Sequence, residues 1–202
     1  QIVDMIEAET GEKFVRMEMG VPGLPACKYG VEAEIEALRN GVASIYPNIN
    51  GIPEIKTEAA RFVKNFINID VSPESCVPST GAMQGTYALF QIASGCDVTK
   101  DTALFIDPGF PVQKQQFMMM GSKFESFDVY HYRGEKLREK LESYFSKGNI
   151  NSIIYSNPNN PTWVCLTDEE LKIIAELANK YDVIVMEDLA YFGMDFRKDL
   201  SK

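Results

Sequence analysis

The sequence predicts an α/β fold, a three-layer arrangement in which a mainly parallel sheet is covered by helices. From about Glu74 onward, short β-branched or aromatic runs alternate with longer amphipathic ones, the rhythm of strand–helix–strand units. Segments rich in Asn, Asp, Pro and Gly follow directly on several of those runs, at the strand ends where open α/β sheets bind ligands. With 202 residues, 45% of them hydrophobic and 24% charged, the chain has enough apolar side chain for a substantial core.

The first seventy residues have a different texture. They carry a Gly- and Pro-rich loop over 20–25, a short helix over 31–39, a turn over 46–51, and a helix from Pro53 to about residue 69. Strands are then expected over 75–78, 102–106, 123–129, 151–155 and 183–187, with helices over 84–93, 111–120, 135–146 and 168–181 between them. Thr167, followed three residues later by Glu170, forms a capping box that marks the start of the last helix. Residues 1–52 read as an N-terminal segment and 53–202 as a large domain, without internal repeats or low-complexity stretches.

Charge and cysteine usage narrow the partners. A formal net charge of −9 offers no basic stripe for nucleic acid or an anionic membrane surface. The four cysteines are widely spaced and there is one histidine, so neither a zinc site nor a disulfide framework is indicated. No apolar run reaches the roughly 18 residues of a membrane span, and the start lacks the order of a signal peptide. These features read as a cytoplasmic protein. The opening at Gln1, without methionine, reads as an internal fragment or trimmed chain.

Asp188 ends the run Val183-Ile184-Val185-Met186, where it is either a loop acid or a ligand-facing carboxylate; Tyr191, three residues on, is either a core aromatic or a second ligand contact. Asn157-Pro158-Asn159-Asn160-Pro161-Thr162 follows Ile153-Ile154-Tyr155 and is either a tight turn or a rigid X-Pro device that aims the Asn160 amide inward. Thr80-Gly81-Ala82-Met83-Gln84 lies where a strand is expected to pass into a helix, so free N–H groups there suit a phosphate, although close packing would explain the segment equally well. Phe110, after Asp107-Pro108-Gly109, offers a flat ring to a heteroaromatic ligand or to the core.

In order and spacing, these segments resemble the class I/II aminotransferases of the fold-type I pyridoxal phosphate enzymes, from about Met19 to Asp188. The resemblance implies pyridoxal 5'-phosphate as cofactor. Asp188 would then pair with its ring nitrogen, Asn160 and Tyr191 with its phenolic oxygen, and Gly81, Ala82 and Met83 with its phosphate, while Phe110 stacks on the ring. Tyr46 matches a tyrosine that reaches the phosphate of the neighbouring subunit, implying a homodimer with shared active sites. Gly20 matches a loop over the substrate. The implied reaction passes an amino group from an amino acid to a 2-oxo acid.

Two departures stand out. Trp163 follows Thr162 where the family usually has Gly, and the chain ends fourteen positions after Asp188, before the family's Schiff-base lysine. Lys202 reads as an exposed terminal lysine. The resemblance therefore implies a large domain incomplete at its C-terminal side and inactive alone. Two absent strands would lie between the strand at 75–78 and the one ending at Tyr155, leaving exposed sheet edges. Other chemistries of the same scaffold remain open: a C–S lyase, a decarboxylase or a synthase. So does an aminotransferase-like ligand-sensing domain of a transcriptional regulator, which would carry a helix-turn-helix before Gln1, and so does a non-catalytic α/β domain.

Overall fold

The computed structural model describes residues 1–17, 20 and 23–194, so Met19 and Lys202 lie outside the described residues. The chain divides into two units, Gln1–Pro47 and the portion from Asn48 onward. The first contains α1 (Ile2–Thr10), α2 (Lys28–Arg39) and a 3-10 turn at Val42–Ser44. Helix α1 is not among the helices expected from the sequence. Yet Ile2, Met5 and Ile6 fall at helical spacing, and Gly11 stops the helix in the left-handed conformation at φ 73°. Arg16 bonds Asp4 at 2.7 Å and the Phe14 N–H bonds Glu7 at 2.9 Å, folding the following segment back on α1.

The second unit opens with α3 (Pro53–Ile67), whose Pro53 sits at the first turn, where its missing N–H costs nothing. It stops short of residue 69 because Asn68 adopts the left-handed conformation at φ 57°. The strand expected over 75–78 does not form. Pro73–Ser75 is a 3-10 turn, the Cys76 N–H is spent on the Pro73 carbonyl, and Pro78 has no N–H, so too few donors remain for a ladder.

Then follow α4 (Ala82–Cys96), β1 (Thr102–Asp107), α5 (Pro111–Met119), β2 (Lys123–Asp128), α6 (Glu135–Phe145), β3 (Ile150–Ser156), α7 (Asp168–Tyr181) and β4 (Ile184–Asp188). The four strands are parallel in the order β2-β1-β3-β4. The strand ending at Tyr155 is thus flanked by β1 and β4, and no strand at 75–78 enters the sheet. β2 and β4 are its edges. On β4, Ile184 and Val185 remain 39% and 40% exposed.

Alternation along the central strands builds the layers. Ala103 and Phe105 of β1 and Ile154 of β3 face Phe90 of α4 and Phe117 of α5. Leu104, Ile106, Ile153 and Tyr155 face the opposite way, against Leu137, Leu141 and Phe145 of α6 and Ile173, Ile174 and Leu177 of α7. Helices therefore cover both faces, and every residue of β3 is buried. The chain leaves β1 toward β2, then returns across it to β3. That reversal opens a crevice at the carboxyl ends of β1 and β3.

Glu170 locks the starts of α6 and α7 together. It is 1% exposed and accepts from Arg133 Nε at 2.6 Å, Arg133 Nη2 at 2.7 Å and the Gly134 N–H at 2.8 Å. It also completes the capping box, accepting from the Thr167 N–H at 2.9 Å while its own N–H bonds the Thr167 hydroxyl. Burial alone would push the carboxyl up. The Arg133 guanidinium and the two backbone donors outweigh it and hold the group down to about 2, from an ordinary 4.5.

A lowered folded-state value stabilises the protein fully above pH 4.5, and that contribution fades as pH falls toward about 2. Glu170→Gln is expected to lose about 1–3 kcal/mol at neutral pH, the scale of hydrogen bonds to a charged group, because the Arg133 left behind is partly exposed and can be solvated. Urea unfolding across that pH window should show the deficit shrinking with acid. Gly81, at φ 80° and ψ 159°, occupies backbone essentially restricted to glycine, although a Cβ added there would meet nothing within 4 Å. Gly81→Ala is therefore expected to cost about 1–3 kcal/mol through the backbone alone, read by thermal denaturation.

Candidate functional site

The crevice at the strand ends is framed by three cis X-Pro bonds, Asp107–Pro108, Asn157–Pro158 and Asn160–Pro161. Asn159 joins two of the loops. Its buried amide donates to the Pro108 carbonyl at 2.7 Å and to the Ser156 hydroxyl at 3.2 Å, while its side-chain oxygen accepts from the Thr162 hydroxyl at 2.6 Å. The Trp163 N–H adds a bond to the Asn159 carbonyl at 2.8 Å, and the Asn159 N–H bonds the Val164 carbonyl at 3.1 Å. Consequently the ends of β1 and β3 are stitched together and Asn160 is carried to the crevice wall.

Here lies a cavity of about 120 Å³, lined by Ala82, Met83, Phe110, Gln113, Asn160, Asp188 and Tyr191, among others. Six of the residues singled out from the sequence thus meet on one surface. Gly81 stands just outside, as the residue from which α4 departs. A larger recess of about 500 Å³ shares the Ala82, Thr86, Gln113, Asp188 and Ala190 walls. Gly20 and Tyr46 belong to the first unit; both are exposed there, Tyr46 at 99%.

Asp188 is oriented at both oxygens. Gln113 Nε2 donates to Oδ2 at 2.9 Å and the Ala190 N–H to Oδ1 at 3.0 Å. The backbone also participates, with the Asp188 carbonyl accepting from the Asn157 N–H at 3.1 Å. At the other side of the cavity, Ala82 and Met83 occupy the first two positions of α4, whose N–H groups have no carbonyl inside the helix. Gln116 pins this end, donating to the Met83 carbonyl at 2.8 Å and accepting from the Thr86 hydroxyl at 2.9 Å. Phe110 immediately precedes α5 and lines the same cavity.

Gln113 and Gln116 are buried and are not among the residues singled out from the sequence. A signal was available for the first: on a helix beginning at Pro111, residue 113 lies one turn from Phe110 and on its side. Gln116 carries no such mark. Among the described residues, no lysine or arginine lines the cavity, and no group of acidic, His or Cys side chains is arranged to hold a metal. Nor is any helix among them long and apolar enough to cross a membrane.

The chain has relatives among known proteins in both sequence and fold. Among curated relatives, the chain is 24% identical to an aspartate aminotransferase of Bacillus subtilis over 90% of this chain and 45% of that protein. It is 27% identical to an aspartate aminotransferase of Pyrococcus horikoshii, over 89% and 45% of the two chains. With an LL-diaminopimelate aminotransferase of Halothermothrix orenii the figures are 28% identity, 92% and 48%. The chain thus spans about half the length of the curated relatives it matches. In fold, it resembles an aminotransferase from Mycobacterium tuberculosis with a TM-score of 0.80 at 23% identity, covering 95% of this chain and 48% of the other. An alanine aminotransferase from Pyrococcus furiosus gives 0.78 at 19% identity, covering 98% and 50%. The large domain of these neighbours is therefore represented here incompletely. The sequence profile described as aminotransferase class I and II matches residues 13–200, and the chain belongs to that family.

Proposed function

We infer that the protein carrying this chain is a pyridoxal 5'-phosphate-dependent aminotransferase that passes an amino group from an amino acid to a 2-oxo acid. The observation that carries this reading is the cavity itself, whose wall combines a doubly held carboxylate, a helix N-terminus, an aromatic ring, an amide and a phenol. That donor set fits the cofactor's ring nitrogen, phosphate, ring face and phenolic oxygen. The names of the relatives, which include aspartate, LL-diaminopimelate and glutamate-pyruvate aminotransferases, support the same reaction class.

When bound, the cofactor supplies an electron-withdrawing ring that stabilises negative charge at the amino acid's Cα. Asp188 would keep the ring nitrogen protonated, because an opposite charge in contact favours the charged form. Gln113 and the Ala190 N–H hold that carboxylate in place, so little reorientation accompanies the reaction. The Ala82 and Met83 N–H groups, reinforced by the α4 dipole and by the turn that Gly81 permits, would receive the phosphate. Asn160 and Tyr191 would donate to the phenolic oxygen, and Phe110 would cover one ring face. This wall binds and orients; it contributes no covalent anchor.

From the first unit, Tyr46 is assigned to the phosphate of a neighbouring subunit and Gly20 to a loop over the substrate, in a cytoplasmic homodimer with shared sites. In the full gene product, added pyridoxal phosphate is expected to give an absorbance band that an amino acid donor removes and a 2-oxo acid restores. Asp188→Ala should lower kcat by about 10²–10³-fold, the scale for losing a preorganised charge at the reacting centre. A full product that neither develops the band nor exchanges amino groups would overturn the assignment.

A further inference from the structure

Trp163 is held in backbone that suits it poorly. Its φ is 59°, in the left-handed region that large side chains rarely enter. Around it the hydrogen bonds are dense: its N–H bonds the Asn159 carbonyl at 2.8 Å, and Thr162 bonds the Asn159 side chain through both hydroxyl and N–H. Since Asn159 in turn grips Pro108 and Ser156, the Trp163 backbone is fixed to the ends of β1 and β3.

The side chain makes one ring contact among the described residues. Its centroid lies 5.8 Å from that of Tyr191 with the planes at 68°, the edge-to-face arrangement favoured by aromatic quadrupoles. Tyr191 lines the cavity and Trp163 does not, so the indole stands behind the phenol. Tyr191 itself lies in a short turn, where Phe192 N–H bonds the Leu189 carbonyl at 2.9 Å and Gly193 follows at φ 84°. Among the described residues, no hydrogen bond engages its hydroxyl. The phenol's position therefore depends on packing against a ring that is anchored elsewhere.

We propose that Trp163 is a positioning residue that holds the Tyr191 phenol at the cavity wall and thereby sets its hydrogen bond to the bound ligand. This rests on the cofactor reading given above. A donor to the phenolic oxygen favours that oxygen's deprotonated form, so weakening the bond raises the pH at which the bound chromophore titrates. Removing the indole should act on the ligand only through Tyr191.

The test has two arms. In the cofactor-loaded full product, Trp163→Ala and Tyr191→Phe should both raise the midpoint of the absorbance titration, by about 0.5 pH unit or more. The double variant should add nothing, since coupled neighbours are not additive. Trp163→Phe, which keeps a ring at the site, should recover most of the shift. Trp163→Ala with an unmoved midpoint, beside a moved one in Tyr191→Phe, would refute the proposal.

The second arm needs no cofactor. Trp163 is the single tryptophan of these 202 residues, and in the full product its emission is isolated as the difference between the unmutated protein and Trp163→Phe. Tyr191→Ala should move that emission to longer wavelength as the half-covered indole, 41% exposed, loses its neighbour. Unchanged emission would show that the rings do not pack together and would overturn the proposal irrespective of the cofactor. A chromophore that fails to appear in the unmutated full product would instead sink the reading of the site.

Discussion

A parallel sheet whose strand order reverses between β1 and β3 must leave the loops after those strands splayed apart, and in this protein a single buried carboxamide bridges them. Asn159 donates to the loop after β1 and to the last residue of β3, and its own loop is closed by Thr162 and Trp163. The polar groups at the strand ends are positioned from that junction or from a neighbour of it. Asn160 is the next residue, Asp188 is tied by its carbonyl to the Asn157 N–H, and Tyr191 leans on Trp163. Each bond is worth only about 1 kcal/mol net, but leaving the buried amide unpaired would cost more, about 1–3 kcal/mol.

The covering helices serve the same crevice from two sides. On one, Phe90 and Phe117 seat α4 and α5 on Ala103, Phe105 and Ile154, bringing the N-terminus of α4 and the Gln113 amide to the strand ends. On the other, the Arg133–Glu170 pair fixes where α6 and α7 begin, and α7 delivers the chain to β4 and so to Asp188. Glu170 acts on the α6 and α7 side, where its bonds go to Arg133 and to the Gly134 and Thr167 backbone. The edge strand β4, half-exposed at Ile184 and Val185, carries Asp188 at its end.

Much of this was legible from residue patterns. The four strands and the helices α2 to α7 fall within a few residues of their expected places, because apolar periodicity and caps such as Thr167 and Glu170 act locally. The expected strand over 75–78 failed for a reason also written locally, in two prolines and a turn that take its donors. Helix α1 is harder to see because its acidic residues mask the spacing of Ile2, Met5 and Ile6. Asp188, Asn160 and Phe110 could be singled out because they follow or end strands. Gln116 could not, since its role arises from helix packing across the sheet; Gln113 was marked only by lying one turn after Phe110, and its bond to Asp188 depends on the same packing. Trp163 was visible as an unusual residue, but only its left-handed backbone and its contact with Tyr191 give it a task.

We infer that the cavity at the β1–β3 reversal receives the cofactor in one defined orientation. A crystal structure of the protein grown with pyridoxal 5'-phosphate tests it most directly. The phosphate is expected at the Ala82 and Met83 N–H groups, the ring nitrogen against Asp188, and Phe110 on the ring face. Cofactor found instead on surface lysines, with the Asp188 carboxylate turned away from any ring, would contradict it.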